Sequence, residues 1–206
     1  MKRALILVDI QNDFLPGGAL AVRDGDKVIE IASQVGKAFD LVIKTQDWHP
    51  ANHKSFAKNH DLEVGTVIDL NGLPQFLWTV HCVQESKGSQ FPATLPVFEN
   101  EFVFQKGGDI EVDSYSGFFD NGKKNSTGLG DFLREKKIDE LFVMGLATDY
   151  CVKFTVLDAL ELGFKTHLIV DGCRGVNVNP GDVDEAINSM QEKGAILVQS
   201  SEIKNV

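Results

Sequence analysis

Ala4-Leu5-Ile6-Leu7-Val8-Asp9 is an unbroken apolar run that ends in a carboxylate. It has no polar–apolar alternation, which is the signature of a strand covered on both faces, as in a parallel sheet flanked by helices. Residues 41–43, 101–105, 141–144, 166–170 and 195–198 read as further short strands, the fourth of these six closed by Gly145. Helical periodicity fills the gaps. Val28, Ile31, Ala32, Val35 and Phe39 recur on one face of residues 26–39. Residues 129–137, 150–162 (with Gly163 as its stop) and 182–193 also read as helices. Strand and helix in alternation predict an α/β fold, a doubly wound and mainly parallel sheet with helices on both faces. Residues 48–100 are the exception, long and weakly patterned, and loops of that length are usually functional. No repeat or linker divides residues 1–206, so a single domain is expected.

The chain has 206 residues, 20 Lys+Arg against 30 Asp+Glu, and a formal net charge of −10. That balance disfavours a nucleic-acid or anionic-membrane partner, each of which needs a basic surface. No apolar run approaches the ~20 residues of a membrane span. The opening Met1-Lys2-Arg3 and the apolar run after it begin like a signal peptide, but Asp9 ends the run too early and no small-residue cleavage site follows. Three cysteines make no disulfide framework, so a cytoplasmic protein is expected. The phenylalanine-rich stretches serve equally as core or as the interface of a homo-oligomer.

Open α/β sheets bind ligands beyond the carboxyl ends of their strands. Asp9, Asp47 and Lys106 follow the first three strands, and Gly145-Leu146-Ala147-Thr148-Asp149-Tyr150-Cys151 follows the fourth. Taken singly, each has a structural explanation: Cys151 as a packed thiol, Asp9 as a loop cap, Lys106 as a surface lysine. Their conjunction on one sheet edge points to chemistry. A helix N-terminus and a nearby ammonium are expected to lower the Cys151 pKa. Asp9 could carry a proton, and backbone amides of the turn, including that of Cys151, could hold an oxyanion. Thiol, proton carrier, cation and amide donors describe acyl transfer through a thioester.

A second group is Asp47-Trp48-His49 with the more distant His81. One carboxylate and two imidazoles suit zinc, iron or manganese. His53 is a candidate further ligand, whereas His60 reads as a solvent residue. Cys82 and Cys173 read as buried thiols. Phe14, Trp78 and Tyr115 lie beside these positions and could enclose a planar ring.

These segments resemble the nicotinamidase/pyrazinamidase branch of the isochorismatase-like cysteine hydrolases. The resemblance rests on residues 4–14 (ALILVDIQNDF), 45–50 (TQDWHP), 78–83 (WTVHCV), 104–107 (FQKG), 115–118 (YSGF) and 145–152 (GLATDYCV). It implies a catalytic triad of Asp9, Lys106 and Cys151, an oxyanion hole from the amides of Ala147 and Cys151, and a cis peptide between Leu146 and Ala147. It implies one divalent metal ion, zinc ahead of iron or manganese, held by Asp47, His49 and His81 with His53 the candidate for a fourth position. Phe14, Trp78 and Tyr115 would form the ring pocket. The implied reaction is hydrolysis of nicotinamide to nicotinate and ammonia, a step of NAD salvage, with pyrazinamide as a second substrate. The alternatives are a sister hydrolase of another small amide such as N-carbamoylsarcosine, and a non-catalytic module binding a small ligand or metal on the same fold.

Overall fold

The structure, a computed structural model, describes residues 2–204. Six parallel strands form the main sheet: β1 (Arg3–Val8), β2 (Leu41–Asp47), β5 (Glu101–Lys106), β6 (Glu140–Leu146), β7 (Lys165–Arg174) and β8 (Ile196–Val198). Their spatial order is β5-β2-β1-β6-β7-β8. The chain therefore winds outward from β1 in one direction and, from β6, in the other. Right-handed crossovers then place α1 (Lys27–Val35) and α3 (Lys153–Glu161) on opposite faces of the sheet. The reversal of strand order falls between β1 and β6, where this architecture opens a crevice. Two further helices, α2 (Leu129–Glu135) and α4 (Asp182–Glu192), complete the framework.

The central strand explains the opening motif. Ala4 through Val8 are fully buried, as a strand covered on both faces must be. Gly145 pairs with Val8 at the switch point, and a Cβ there would stand 2.2 Å from the Val8 carbonyl oxygen. Gly145 therefore lies inside β6 and does not close it; the strand runs on to Leu146.

Several boundaries differ from the sequence expectation for a common reason. β2 continues to Asp47 because its polar residues are buried and paired with β5, and β7 to Arg174 because Cys173 and Arg174 pair with Gly145 and Leu146 of β6. The expected helix over 26–39 is α1 followed by a 3₁₀ turn, Gly36–Ala38, with Phe39 extended. Within residues 48–100 a hairpin appears, β3 (Val67–Leu70) and β4 (Leu73–Phe76). Asn71 and Gly72 turn it, both with positive φ, as a tight two-residue hairpin loop requires. Among the described residues no helix is long and apolar enough to cross a membrane.

Candidate active site

Strand register brings the polar groups together. Asp47 and Lys106 end β2 and β5 as paired neighbours. The Lys106 ammonium is buried, with Nζ 2.5 Å from Asp47 Oδ1, 2.9 Å from Asp9 Oδ2, 2.8 Å from the Ser114 carbonyl oxygen and 3.4 Å from Cys151 Sγ. Asp9 follows β1 at φ 48°, and the Thr45 hydroxyl donates to its Oδ1 at 2.6 Å. The Cys151 sulfur and one oxygen each of Asp9 and Asp47 lie within 4.8 Å of one another. Gln11, absent from the sequence reading, secures Asp47: its amide donates to the Asp47 carbonyl (2.9 Å) and accepts from the Asp47 N–H (2.8 Å).

Cys151 belongs to a π-helical turn, Thr148–Val152, that precedes α3. The expected single helix over 150–162 is thus split, and the sulfur sits in the turn and not at the first residue of a regular helix. The expectation of a lowered thiol pKa is also corrected. Burial drives it well above the usual range; Lys106 pulls it down, but Asp9 and Asp47 add to the rise. Asp9 is raised as well, burial and Asp47 outweighing Lys106. Burial would also raise Asp47, but Lys106 and His49 hold it well below the usual carboxylate range. Lys106, disfavoured by burial, is raised well above its ordinary value by Asp47 and Asp9. The arrangement sets the buried thiol against the Lys106 ammonium, which is fixed between the two acids Asp9 and Asp47. The Leu146–Ala147 peptide bond is cis, as the resemblance implies.

Asp47 also faces the other way. Its Oδ2 is 3.6 Å from His49 Nε2 and 3.8 Å from His81 Nε2. The Nδ1 atoms of these rings lie 2.8 Å from the carbonyl oxygens of Gly107 and Thr79 respectively. A carbonyl only accepts, so each Nδ1 carries a proton and each Nε2 is left as the ligating nitrogen. Burial disfavours charge on His49, yet Asp47 raises its pKa; burial, reinforced by His49, pushes His81 down to about 4. The trio offers three ligand atoms within 4.8 Å of one another, a set that fits a divalent ion. His53 is grouped with His49 and Asp113 and not with Asp47 and His81; its ring lies 4.5 Å from that of His49, and its Nδ1 is 2.7 Å from Ser55 Oγ. His60 lies outside these groups, its Nε2 2.7 Å from the Lys54 carbonyl oxygen.

Gly107 makes room for His49. It has φ 69°, and a Cβ there would stand 2.4 Å from His49 Cε1. Gly107→Ala is expected to displace the ring and weaken the hold of these side chains on a divalent ion by about 10- to 100-fold. Metal content after dialysis measures this, and full retention would count against His49 as a ligand.

The sulfur opens into a cavity lined by Phe14, Trp78 and Tyr115, together with Ala147, Asp47 and His81. The sequence reading missed Leu20, Asp113, Tyr150 and Val176 in the same wall. The hairpin braces it: Trp78 Nε1 donates to the Tyr115 hydroxyl at 3.1 Å, and Gln75 on β4 donates to Asp113 Oδ2 at 3.0 Å. Cys82 and Cys173 are buried and free, as expected, and burial raises both thiols, Cys173 to about 12.

An all-parallel sheet with thiol, acid and cation at its switch point defines a class of hydrolase, and the Isochorismatase domain description matches residues 3–202: the chain belongs to the isochorismatase family. Within that family, relatives that share 33% to 54% of its residues are nicotinamidases. It is 54% identical to the nicotinamidase of Escherichia coli (strain K12) over 199 residues, 95% of this chain and 93% of that one. The structure of an Acinetobacter baumanii nicotinamidase/pyrazinamidase superposes with a TM-score of 0.95 at 41% identity, covering 98% of both chains. The pyrazinamidase of Pyrococcus horikoshii, solved in complex with zinc, gives a TM-score of 0.77 at 35% identity over 97% of this chain and 99% of that one.

Proposed function

We propose that this protein hydrolyses nicotinamide to nicotinate and ammonia, with Cys151 as nucleophile, Asp9 as proton carrier and Lys106 as the fixed cation. One observation carries the proposal: Lys106 Nζ touches Cys151 Sγ, Asp9 and Asp47 at once, and two of these partners, Cys151 and Asp47, line a cavity walled by aromatic rings and His81. The identity to nicotinamidases along nearly the whole chain supports the choice of substrate.

Asp47, His49 and His81 would hold the metal, zinc by analogy with the Pyrococcus horikoshii enzyme, and the ion would give the substrate's ring nitrogen a Lewis-acid anchor. The chain's own groups do the rest. Asp9 takes the Cys151 proton as the sulfur adds to the carboxamide carbon. The amides of Ala147 and Cys151 stabilise the oxyanion. As the C–N bond breaks, Asp9 returns the proton to the leaving nitrogen, and ammonia departs. Asp9 next removes a proton from water while the oxygen attacks the thioester carbon. The C–S bond then breaks, the acid is released, and Asp9 reprotonates the sulfur. A carboxyl raised by burial suits a group that must donate a proton as well as accept one. Three free, buried cysteines support placing the enzyme in the reducing cytoplasm.

Ammonia release from nicotinamide, with and without a chelator, tests the proposal. Turnover that falls on chelation and returns with zinc is expected. Turnover of another small amide, indifferent to metal, would favour the sister-hydrolase alternative. His49→Ala is expected to raise KM by about tenfold or more with a smaller change in kcat, because it disturbs ring positioning before it touches the reacting carbon. Unchanged KM and unchanged zinc content would overturn that assignment.

A further inference from the structure

Asp149 is a buried carboxylate two residues before Cys151, and the reaction above does not use it. Among the described residues it enters no ion pair. Its oxygens instead accept the backbone N–H groups of Val176, to Oδ1 at 2.9 Å, and Asn177, to Oδ2 at 2.6 Å. These amides belong to the loop that follows β7. The loop is wedged in place: a Cβ on Gly175 would stand 2.9 Å from Asp149 Oδ1 and 2.2 Å from Val183 Cγ2 on α4. The next residue, Val176, lines the cavity that holds the sulfur. A continuous path of contacts therefore runs from the turn carrying Cys151, through the Asp149 carboxylate and two backbone amides, to an apolar wall of the cavity.

We propose that Asp149 is a positioning residue that sets which rings the site accepts, by fixing Val176 at a defined distance from the Cys151 sulfur. This rests on the assignment of the cavity as the ring pocket of a carboxamide hydrolase. A carboxylate is the one short side chain that can accept both amides at full strength, since charge-assisted bonds to N–H are the stronger kind. Asparagine has nearly the same shape but would set an NH₂ against one of the two N–H donors, and the loop would lose an anchor. Val176 would then sample positions that widen the pocket, while the triad itself keeps its contacts.

The experiment compares the zinc-loaded full chain with its Asp149→Asn and Val176→Ala variants. Amide hydrogen exchange at Val176 and Asn177 reads the clamp directly. Steady-state ammonia release from nicotinamide and from quinoline-3-carboxamide, whose ring is larger by one fused benzene, reads the wall. In Asp149→Asn, exchange at the two amides is expected to speed up by about tenfold or more. KM for nicotinamide should rise by about tenfold, with kcat changed by less than about threefold. In both variants the kcat/KM of the larger ring relative to nicotinamide should increase. Unchanged exchange in Asp149→Asn would overturn the clamp. A fall in kcat with an unchanged ring preference would show that Asp149 acts on the Cys151 turn alone and would overturn the selectivity role. If the unaltered protein releases no ammonia from nicotinamide, ring selectivity falls together with the proposed activity. The exchange measurement, which needs no substrate, still distinguishes that failure from absence of the clamp.

Discussion

Replacing Cys151 with alanine is expected to lower ammonia release from nicotinamide by more than about a thousandfold, the scale on which loss of a nucleophile acts when the rest of the site persists. The sulfur is the softest and intrinsically strongest nucleophile lining the cavity. Lys106 is held as an ammonium by two carboxylates, and Asp9 faces Lys106 and Thr45. Substrate and metal binding should survive, because the cavity wall and the Asp47–His49–His81 trio lie outside the Sγ atom itself. Calorimetric titration with nicotinamide and metal analysis of the variant check this. Cys151→Ser should recover little, since a hydroxyl yields its proton to Asp9 far less readily than a thiol does. Cys173→Ala serves as the control: that thiol lies on β7, is raised to about 12 and takes no part in the proposed reaction, so turnover should stay within about threefold of the unaltered protein. Acid quenching during turnover followed by mass spectrometry should find the acyl group on the peptide containing Cys151. Near-normal turnover in Cys151→Ala would eliminate the thioester route.

How much of this was legible in the sequence depends on the range of the interaction concerned. The central strand announced itself because full burial on both faces demands an unbroken apolar run, and residues 4–8 supply one. Asp9, Asp47, Lys106 and Cys151 could be found because they stand where such runs give out. The same fact misled the strand boundaries. Lys44, Thr45 and Gln46 look like loop residues, yet all three are buried in β2, each with a polar partner brought by another segment: Lys44 with Glu101 and the Pro96 carbonyl, Thr45 with Asp9, Gln46 with the Ser89 carbonyl. Long-range partners of this kind leave no periodicity. The partners of Gln11 and Asp113 were invisible for that reason, and so was the place of Val176, whose backbone N–H is held by Asp149. The hairpin was different: Asn71-Gly72 is a local turn signal and was present to be used. The thiol pKa was misjudged because a helix terminus and a cation were weighed without burial, which the sequence does not display and which dominates here.

Lys106→Met is expected to cost both activity and stability, the latter by roughly 3–5 kcal/mol, because it removes the cation from a buried cluster and leaves its acids in place. In the native protein the ammonium separates Asp9 and Asp47, whose oxygens otherwise approach within 4.8 Å. Without it, at least one carboxyl must take up a proton to remain buried. The pH dependence follows from Asp9. Burial already raises this group in the presence of Lys106, and the loss of the ammonium removes the main influence lowering it. A group raised on folding contributes stability below its unfolded value, near 3.9, and loses it as pH rises through the folded value. The variant's deficit in melting temperature should therefore widen between about pH 4.5 and 7.5, with metal-free protein used for both to keep zinc out of the comparison. Activity should fall by at least about a hundredfold, since nothing then orients Asp9 against the thiol and an uncompensated pair of acids opposes the anionic intermediate. Lys106→Arg should not rescue it: the Lys106 and Asp9 side chains are fully buried, which leaves no room for the larger guanidinium between them, and its planar fork cannot match a point charge held by Asp9, Asp47 and the Ser114 carbonyl. A Lys106→Met protein that melts with the same offset at both pH values, or that retains its turnover, would show that the ammonium neither compensates these carboxylates nor supports the chemistry beside them.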